Sequence, residues 1–202
     1  MAPRMPSGRA WRLTTSAVAV IATLAAGRLL AQTLPTSQAG TRPFVTTAQI
    51  GERVPLRDGS VVVTGVRGAP TLSQWQQTYT TPGLYVMVDI TFTPADEITT
   101  LQWAQFRATN GTLWGGSPSN RHPDTCSGAI PGLPLTCSVA VDVPVDRLAG
   151  LHVVLGPEAS GEDFAAVAAV DLAITADLIR QWQSATDPVA PQPKTLDGVS
   201  VQ

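Results

Sequence analysis

In the stretch Leu84-Tyr-Val-Met-Val-Asp-Ile-Thr-Phe-Thr93, the apolar residues Leu84, Val86, Val88, Ile90 and Phe92 alternate with Tyr85, Met87, Asp89, Thr91 and Thr93. A strand sends successive side chains to opposite faces, so this period of two describes a β-strand with one buried face, and no helix yields it. Upstream, Ser60-Val-Val-Val-Thr-Gly-Val-Arg67 is equally rich in β-branched residues. Downstream, residues 100–108 and 112–114 flank Asn110-Gly111, a dipeptide that supplies the positive φ angles of a tight hairpin, and these two segments are expected to pair. Thr136-Cys-Ser-Val-Ala-Val-Asp-Val143 alternates until Pro144 stops it, and Leu151-His-Val-Val-Leu155 ends at Gly156-Pro157. Residues 167–174 and 53–56 supply two more candidates.

The result is about seven short strands set apart by Gly and Pro turns, without the helices that a parallel sheet requires between its strands. A mainly β, antiparallel sandwich is the expected fold. Usage of 17 Gly and 17 Pro agrees with a chain of short elements and many turns. Residues 175–185 read as a short closing helix, with Leu178, Ile179 and Trp182 on one side and Thr175 or Asp177 at its cap. Residues 48–185 then form one domain, and residues 186–202, with Pro188, Pro191 and Pro193, are expected to be a disordered tail.

Three pieces, Asp58-Gly-Ser-Val-Val-Val-Thr-Gly-Val66, Pro82-Gly-Leu-Tyr-Val-Met-Val-Asp-Ile-Thr91 and Pro131-Gly-Leu-Pro-Leu-Thr-Cys-Ser-Val-Ala-Val-Asp-Val-Pro144, lie in a region from Gly51 to Ile174. That region resembles a bacterial domain of unknown function with a telokin-like, immunoglobulin-like sandwich fold, found in secreted and membrane-anchored proteins. The resemblance implies the fold and the compartment, and it brings no catalytic residues. Cys126 and Cys137 stand too close in sequence to pin two sheets as the antibody disulfide does.

The N-terminus carries its own signal. Arg4, Arg9 and Arg12, in a basic region of residues 1–12, precede an apolar segment over residues 13–31, the pattern of an export signal with Met1 inside and the remainder outside. A retained single-pass anchor at the cell membrane is the favoured reading, with Arg28 snorkelling to the interface, and a signal cleaved near Ala25 or Gly27, giving a secreted domain, is the alternative. Residues 32–47, with Pro35 and Pro43 and no apolar period, read as a linker.

In an oxidising compartment Cys126 and Cys137, the only cysteines, are expected to pair across a loop rich in turn residues. Neither the spacing nor a neighbouring base suits a redox dithiol. His122 and His152 are the only histidines. His122-Pro-Asp124 matches the J-domain tripeptide but lies in a Gly and Pro loop rather than between helices, so the match is read as chance. No recognised spacing joins these four residues into a zinc site, and Met87 is the only methionine beyond the export segment, which suits copper carriage poorly. Gly-x-Ser-x-Gly and Ser-x-x-Lys are missing, and the single lysine, Lys194, sits near the end. Asp96-Glu97 and the acidic residues between Glu158 and Asp163 read as solvated turns rather than a glycosidase pair or a calcium loop. No metal and no cofactor is expected.

Thirteen Lys and Arg against 15 Asp and Glu leave no basic footprint for nucleic acid, so no nucleic-acid partner is expected. Trp75 and Tyr79, in the segment Leu72-Ser-Gln-Trp-Gln-Gln-Thr-Tyr-Thr-Thr-Pro82, are read as aromatics on a loop outside the strand pattern and are the candidate binding surface, with the disulfide loop beside them. Packing of Trp75 back onto the core is the competing reading. The expected function is a noncatalytic, membrane-tethered module that binds a protein or envelope component outside the cell membrane. A small-molecule or metal carrier is the second reading and an envelope hydrolase with scattered site residues the third.

Overall fold

The computed structural model describes residues 44–74, 76–101, 103–115, 126–156, 166–196 and 199–200. The expected anchor over 13–31 and most of the linker lie outside the described residues, as do Trp75 and His122. Among the described residues no helix is long and apolar enough to cross a membrane.

The alternating segment lies in β4 (Gln77–Pro94), where Val86, Val88, Ile90 and Phe92 are each 0% exposed. Burying a side chain of this size contributes roughly 1.5–3 kcal/mol before the entropy of ordering it is set against that gain. Around β4 stand β1 (Phe44–Gln49), β2 (Arg53–Leu56), β3 (Gly59–Gln74), β5 (Thr99–Leu101), β6 (Trp103–Arg107), β7 (Leu113–Gly115), β8 (Cys126–Ala129), β9 (Leu135–Val143), β10 (His152–Gly156), β11 (Ala166–Asp171), β12 (Thr195–Leu196) and β13 (Val199–Ser200). One helix, α1 (Ala176–Gln183), follows β11.

The strands form a six-stranded sheet in the order β13-β12-β9-β4-β3-β2, a five-stranded sheet in the order β1-β11-β10-β6-β7, and the pair β5-β8. Val61, Val63, Val88, Ile90, Val139 and Val141 from the first sheet share one buried cluster with Phe106, Val153, Leu155, Ala168 and Val170 from the second. β3 keeps its apolar residues on this side through a bulge. Val63 pairs with Ile90, Val66 with Val88, and the extra residue between them restores the phase that a three-residue spacing would otherwise invert.

Several expectations hold. The hairpin at Asn110-Gly111 pairs Arg107 with Leu113 and Phe106 with Trp114, with Gly111 at φ +84°. Thr175 caps α1 by accepting the Leu178 N–H at 3.2 Å, and Leu178, Ile179 and Trp182 pack against the core. Others need correction. The ladders are antiparallel except at the edge, where β1 runs parallel to β11, and thirteen strand segments stand among the described residues where about seven were expected. Residues 44–47, assigned to the linker, belong to β1 because their main chain pairs with residues 166–169. Residues 186–196 are no disordered tail. The Val189 N–H donates to Thr71 O at 2.9 Å, the Ser73 N–H donates to Val189 O at 2.8 Å, and Thr195 and Leu196 pair with β9. Their prolines remove N–H donors and hold the chain extended, a composition that suits a segment laid across a sheet as well as one left in solvent.

Candidate functional site

β3 and β4 continue past the sheet. β9 pairs with β4 only from Leu84 to Phe92, and β2 pairs with β3 only from Gly59 to Val62. A register break opposite Pro70 marks the exit, where residues 81–84 form the longer side of the irregularity. Proline lacks the N–H that a ladder needs, so Pro70 and Pro82 suit this bend. The Thr81 hydroxyl fastens it, donating to Asp142 Oδ1 at 2.7 Å and accepting the Gly83 N–H at 3.0 Å. Beyond it the pairs Thr71–Thr80, Leu72–Tyr79, Ser73–Thr78 and Gln74–Gln77 form a two-stranded ribbon.

The segment expected to be a loop is therefore a hairpin, with β3 ending at Gln74 and β4 beginning at Gln77. The signal that normally announces such a turn is Gly or Asn at positions of positive φ, and here the position is held by Gln76 at φ 63°. For a side chain with a Cβ that conformation costs about 1–2 kcal/mol. Next to it, the Gln74 side chain is 5% exposed and its Oε1 has no hydrogen-bond partner among the described residues. Tyr79 is half-buried, packs against the cluster of Ala69, Leu72, Met87, Ala140 and Val189, and its hydroxyl donates to Gln77 Oε1 at 2.6 Å. Gln76, Gln77, Thr78 and Thr80 are exposed.

The disulfide joins Cys126 to Cys137, with Cα atoms 5.5 Å apart. It does not stand beside the aromatic hairpin. Cys137 pairs with Ile90, and residues 77–90 of β4 have a contour of about 43 Å at some 3.3 Å per residue. Gln76 and the disulfide thus stand towards opposite ends of β4. The chain enters the domain at the disulfide end: Phe44 pairs with Ala166, Gly156 pairs with Trp103, and Leu101, just before Trp103, pairs with Cys126. Exposed apolar residues gather there, namely Phe44, Ile98 and Ile130.

Sequence reasoning missed a polar cluster on the outer face of the six-stranded sheet. Asp89, 4% exposed, accepts from Arg67 Nε at 3.0 Å, Arg67 Nη2 at 2.8 Å, Ser138 Oγ at 2.6 Å and Gln192 Nε2 at 3.3 Å. The available signal was an outward row that mixes Tyr85 and Met87 with Asp89, too apolar for a face left to water. His152 Nδ1 lies 2.9 Å from Gly150 O. His152 lines an open depression of about 300 Å³ with Glu52 and Asp171, whose carboxylates accept the Gln49 and Ala173 N–H groups. Among the described residues no group of three or more His, Cys, Asp or Glu is placed to hold a metal ion.

No protein-family model and no curated protein matches this chain. Among solved structures, the yjhA protein from Bacillus subtilis is similar over 61% of this chain and 99% of its own, with a TM-score of 0.43 and 12% identity. A superposition that loose transfers neither a fold nor a function.

Proposed function

We propose that this chain is a noncatalytic, membrane-tethered interaction module that binds a protein or envelope component outside the cell membrane through the ribbon tip, with Trp75 and Tyr79 as its aromatic contacts. The observation that carries the reading is the local cost at that tip. Gln76 holds a backbone conformation disfavoured for its side chain, and Gln74 keeps a buried acceptor without a donor among the described residues. Both features are unfavourable in isolation, and such features concentrate where a surface is completed by a partner. The ribbon also lies at the opposite end of the domain from Phe44.

The immunoglobulin-like assignment rests on strand order. Reading β4, β6, β7, β9, β10 and β11 as B, C, C′, E, F and G gives a G-F-C-C′ sheet facing one in which B lies beside E, the arrangement of such domains. The departure is at the position beyond E, which β12 and β13 fill from the C-terminal end of the chain. The membrane tether rests on Arg4, Arg9, Arg12 and the apolar residues 13–31, and the paired cysteines agree with an oxidising compartment. An intact mass that includes residues before Arg28, measured on protein from membranes, is the expected result; a mass starting at Arg28 makes the segment a cleaved signal.

Crosslinking in living cells tests the binding surface. One partner should be recovered with the parent chain and with Ile98→Ser/Ile130→Ser at the disulfide end, and lost with Trp75→Ala/Tyr79→Ala. Recovery of the same partner by the Trp75→Ala/Tyr79→Ala chain, or of none by the parent, refutes the ribbon tip as the binding surface.

A further inference from the structure

After α1 the chain becomes a strap over residues 187–194, laid from the free edge of β3 across β4 to β9. The sheet holds it chiefly by the main chain. The Val189 N–H and C=O bond to Thr71 and Ser73, the Ala190 C=O accepts from Arg67 Nη1 at 3.1 Å, and the Gln192 N–H donates to Ser138 Oγ at 3.1 Å. Two side chains add selectivity. Val189, 8% exposed, fills a socket of Ala69, Leu72, Met87 and Ala140 with Tyr79 and Tyr85 beside it, and Gln192 Nε2 reaches Asp89 Oδ2. Main-chain pairing for affinity, one apolar anchor and one carboxamide for specificity is how a sheet recognises an extended peptide in trans, and prolines lower the entropy lost when such a peptide is immobilised.

We propose that the outer face of the six-stranded sheet is a peptide-binding site that this chain's strap fills in cis, and that the strap of a second copy fills it in trans. The ligand is an extended segment with a β-branched anchor, Pro two residues on and Gln three residues on, as in Val189-Ala-Pro-Gln192. Exchange between copies remakes the same contacts, which makes it a low-cost route to a dimer. The join permits it: residues 186–188 are exposed, whereas α1 is held separately by Trp182, 6% exposed, whose indole occupies the place a Cβ on Gly68 would take. Asp89 accepts from Arg67 on β3 and from Ser138 on β9, so bonds within the sheet itself orient the two side chains that meet the strap's main chain.

A fluorescent peptide of residues 186–196, added to the full chain carrying Val189→Asp, tests the site, because that chain's own strap has lost its anchor. Saturable binding at least tenfold tighter than to the unsubstituted chain is expected, since a tethered strap competes at an effective concentration on the order of millimolar. The same substitution in the peptide should abolish binding. A Val189→Asp chain that keeps the near-UV spectrum of the parent and binds no peptide overturns the proposal. Where Val189→Asp prevents folding, hydrogen exchange in the unsubstituted chain decides. Protection of the Val189 and Ser73 amides at least tenfold below that of Val88 is expected, and equal protection overturns an exchangeable strap. The second copy is tested by native mass at rising concentration: a dimer that excess peptide dissolves supports it, and a monomer throughout overturns it.

Discussion

The two ends of the domain are built by opposite means. At the disulfide end, a covalent bond closes a loop with a sequence separation of 11, and the β5–β8 pair packs beside it. At the ribbon end, four residue pairs, a positive φ at Gln76 and a Gln74 carbonyl with no partner among the described residues stand beyond the last strand of the sheet. The first arrangement lowers the entropy of the unfolded chain and needs little from its surroundings. The second accepts local costs that only contacts from elsewhere can offset. The strap supplies some of them, running from Thr71 and Ser73 at the ribbon to the Lys194 Nζ donating to Ser127 Oγ at the disulfide end. One end is determined by its own covalent chemistry, whereas the other depends on a segment more than 100 residues away, as the bonds that Val189 makes with Thr71 and Ser73 show.

The largest expected effect is at the covalent end. Replacing both cysteines by alanine should cost roughly 3 kcal/mol in urea unfolding, from the closure entropy of a loop of this length. Hydrogen exchange should rise around Ser127 and Leu135 and stay unchanged at Leu72 and Tyr79; a matching rise at the ribbon would show that the two ends are not independent. Asp89→Ala should cost about 2 kcal/mol by denaturant melting, because four charge-assisted bonds are lost while Arg67, 37% exposed, regains water. Its exchange signature should be the reverse, with faster amides at Val189 and Ser73 and little change at Ala129. Gln76→Gly should stabilise the fold by about 0.5–1 kcal/mol in the same assay, since glycine adopts positive φ without the Cβ penalty. A destabilisation would mean that the Gln76 side chain contributes more than its backbone conformation costs. Trp75→Ala should shift stability by no more than about 0.5 kcal/mol, the range of a surface substitution, while abolishing capture of the crosslinked partner. A loss of several times that size would place Trp75 in the packing of the fold.

Legibility in the sequence followed how local each determinant was. The alternation of Leu84 to Thr93, the hairpin at Asn110-Gly111, the cap at Thr175 and the pairing of Cys126 with Cys137 all depend on neighbours within about a dozen positions, and the structure contains each of them. The ribbon was not legible, because Gln76 holds the positive φ where the rule expects Gly or Asn, and Pro82-Gly83 inside β4 reads as a terminator. Nor was the strap, since a run of prolines has the same composition whether it lies in solvent or across a sheet. Asp89 looked like one more outward polar residue until Arg67, Ser138 and Gln192 converged on it.

By itself, then, the sequence determined that this chain is mainly β, which residues of β4 and β9 face the core, and that its two cysteines close a local loop. Those properties follow from side-chain period and short spacing, which are written along the chain. The tertiary structure alone decided that the aromatic hairpin and the disulfide loop stand at opposite ends, that β1 joins β11 in parallel, and that the C-terminal segment covers the outer face of the six-stranded sheet. Each of these depends on pairing between residues tens of positions apart, where the energy lies in main-chain bonds and buried contacts that any of several segments has the composition to make.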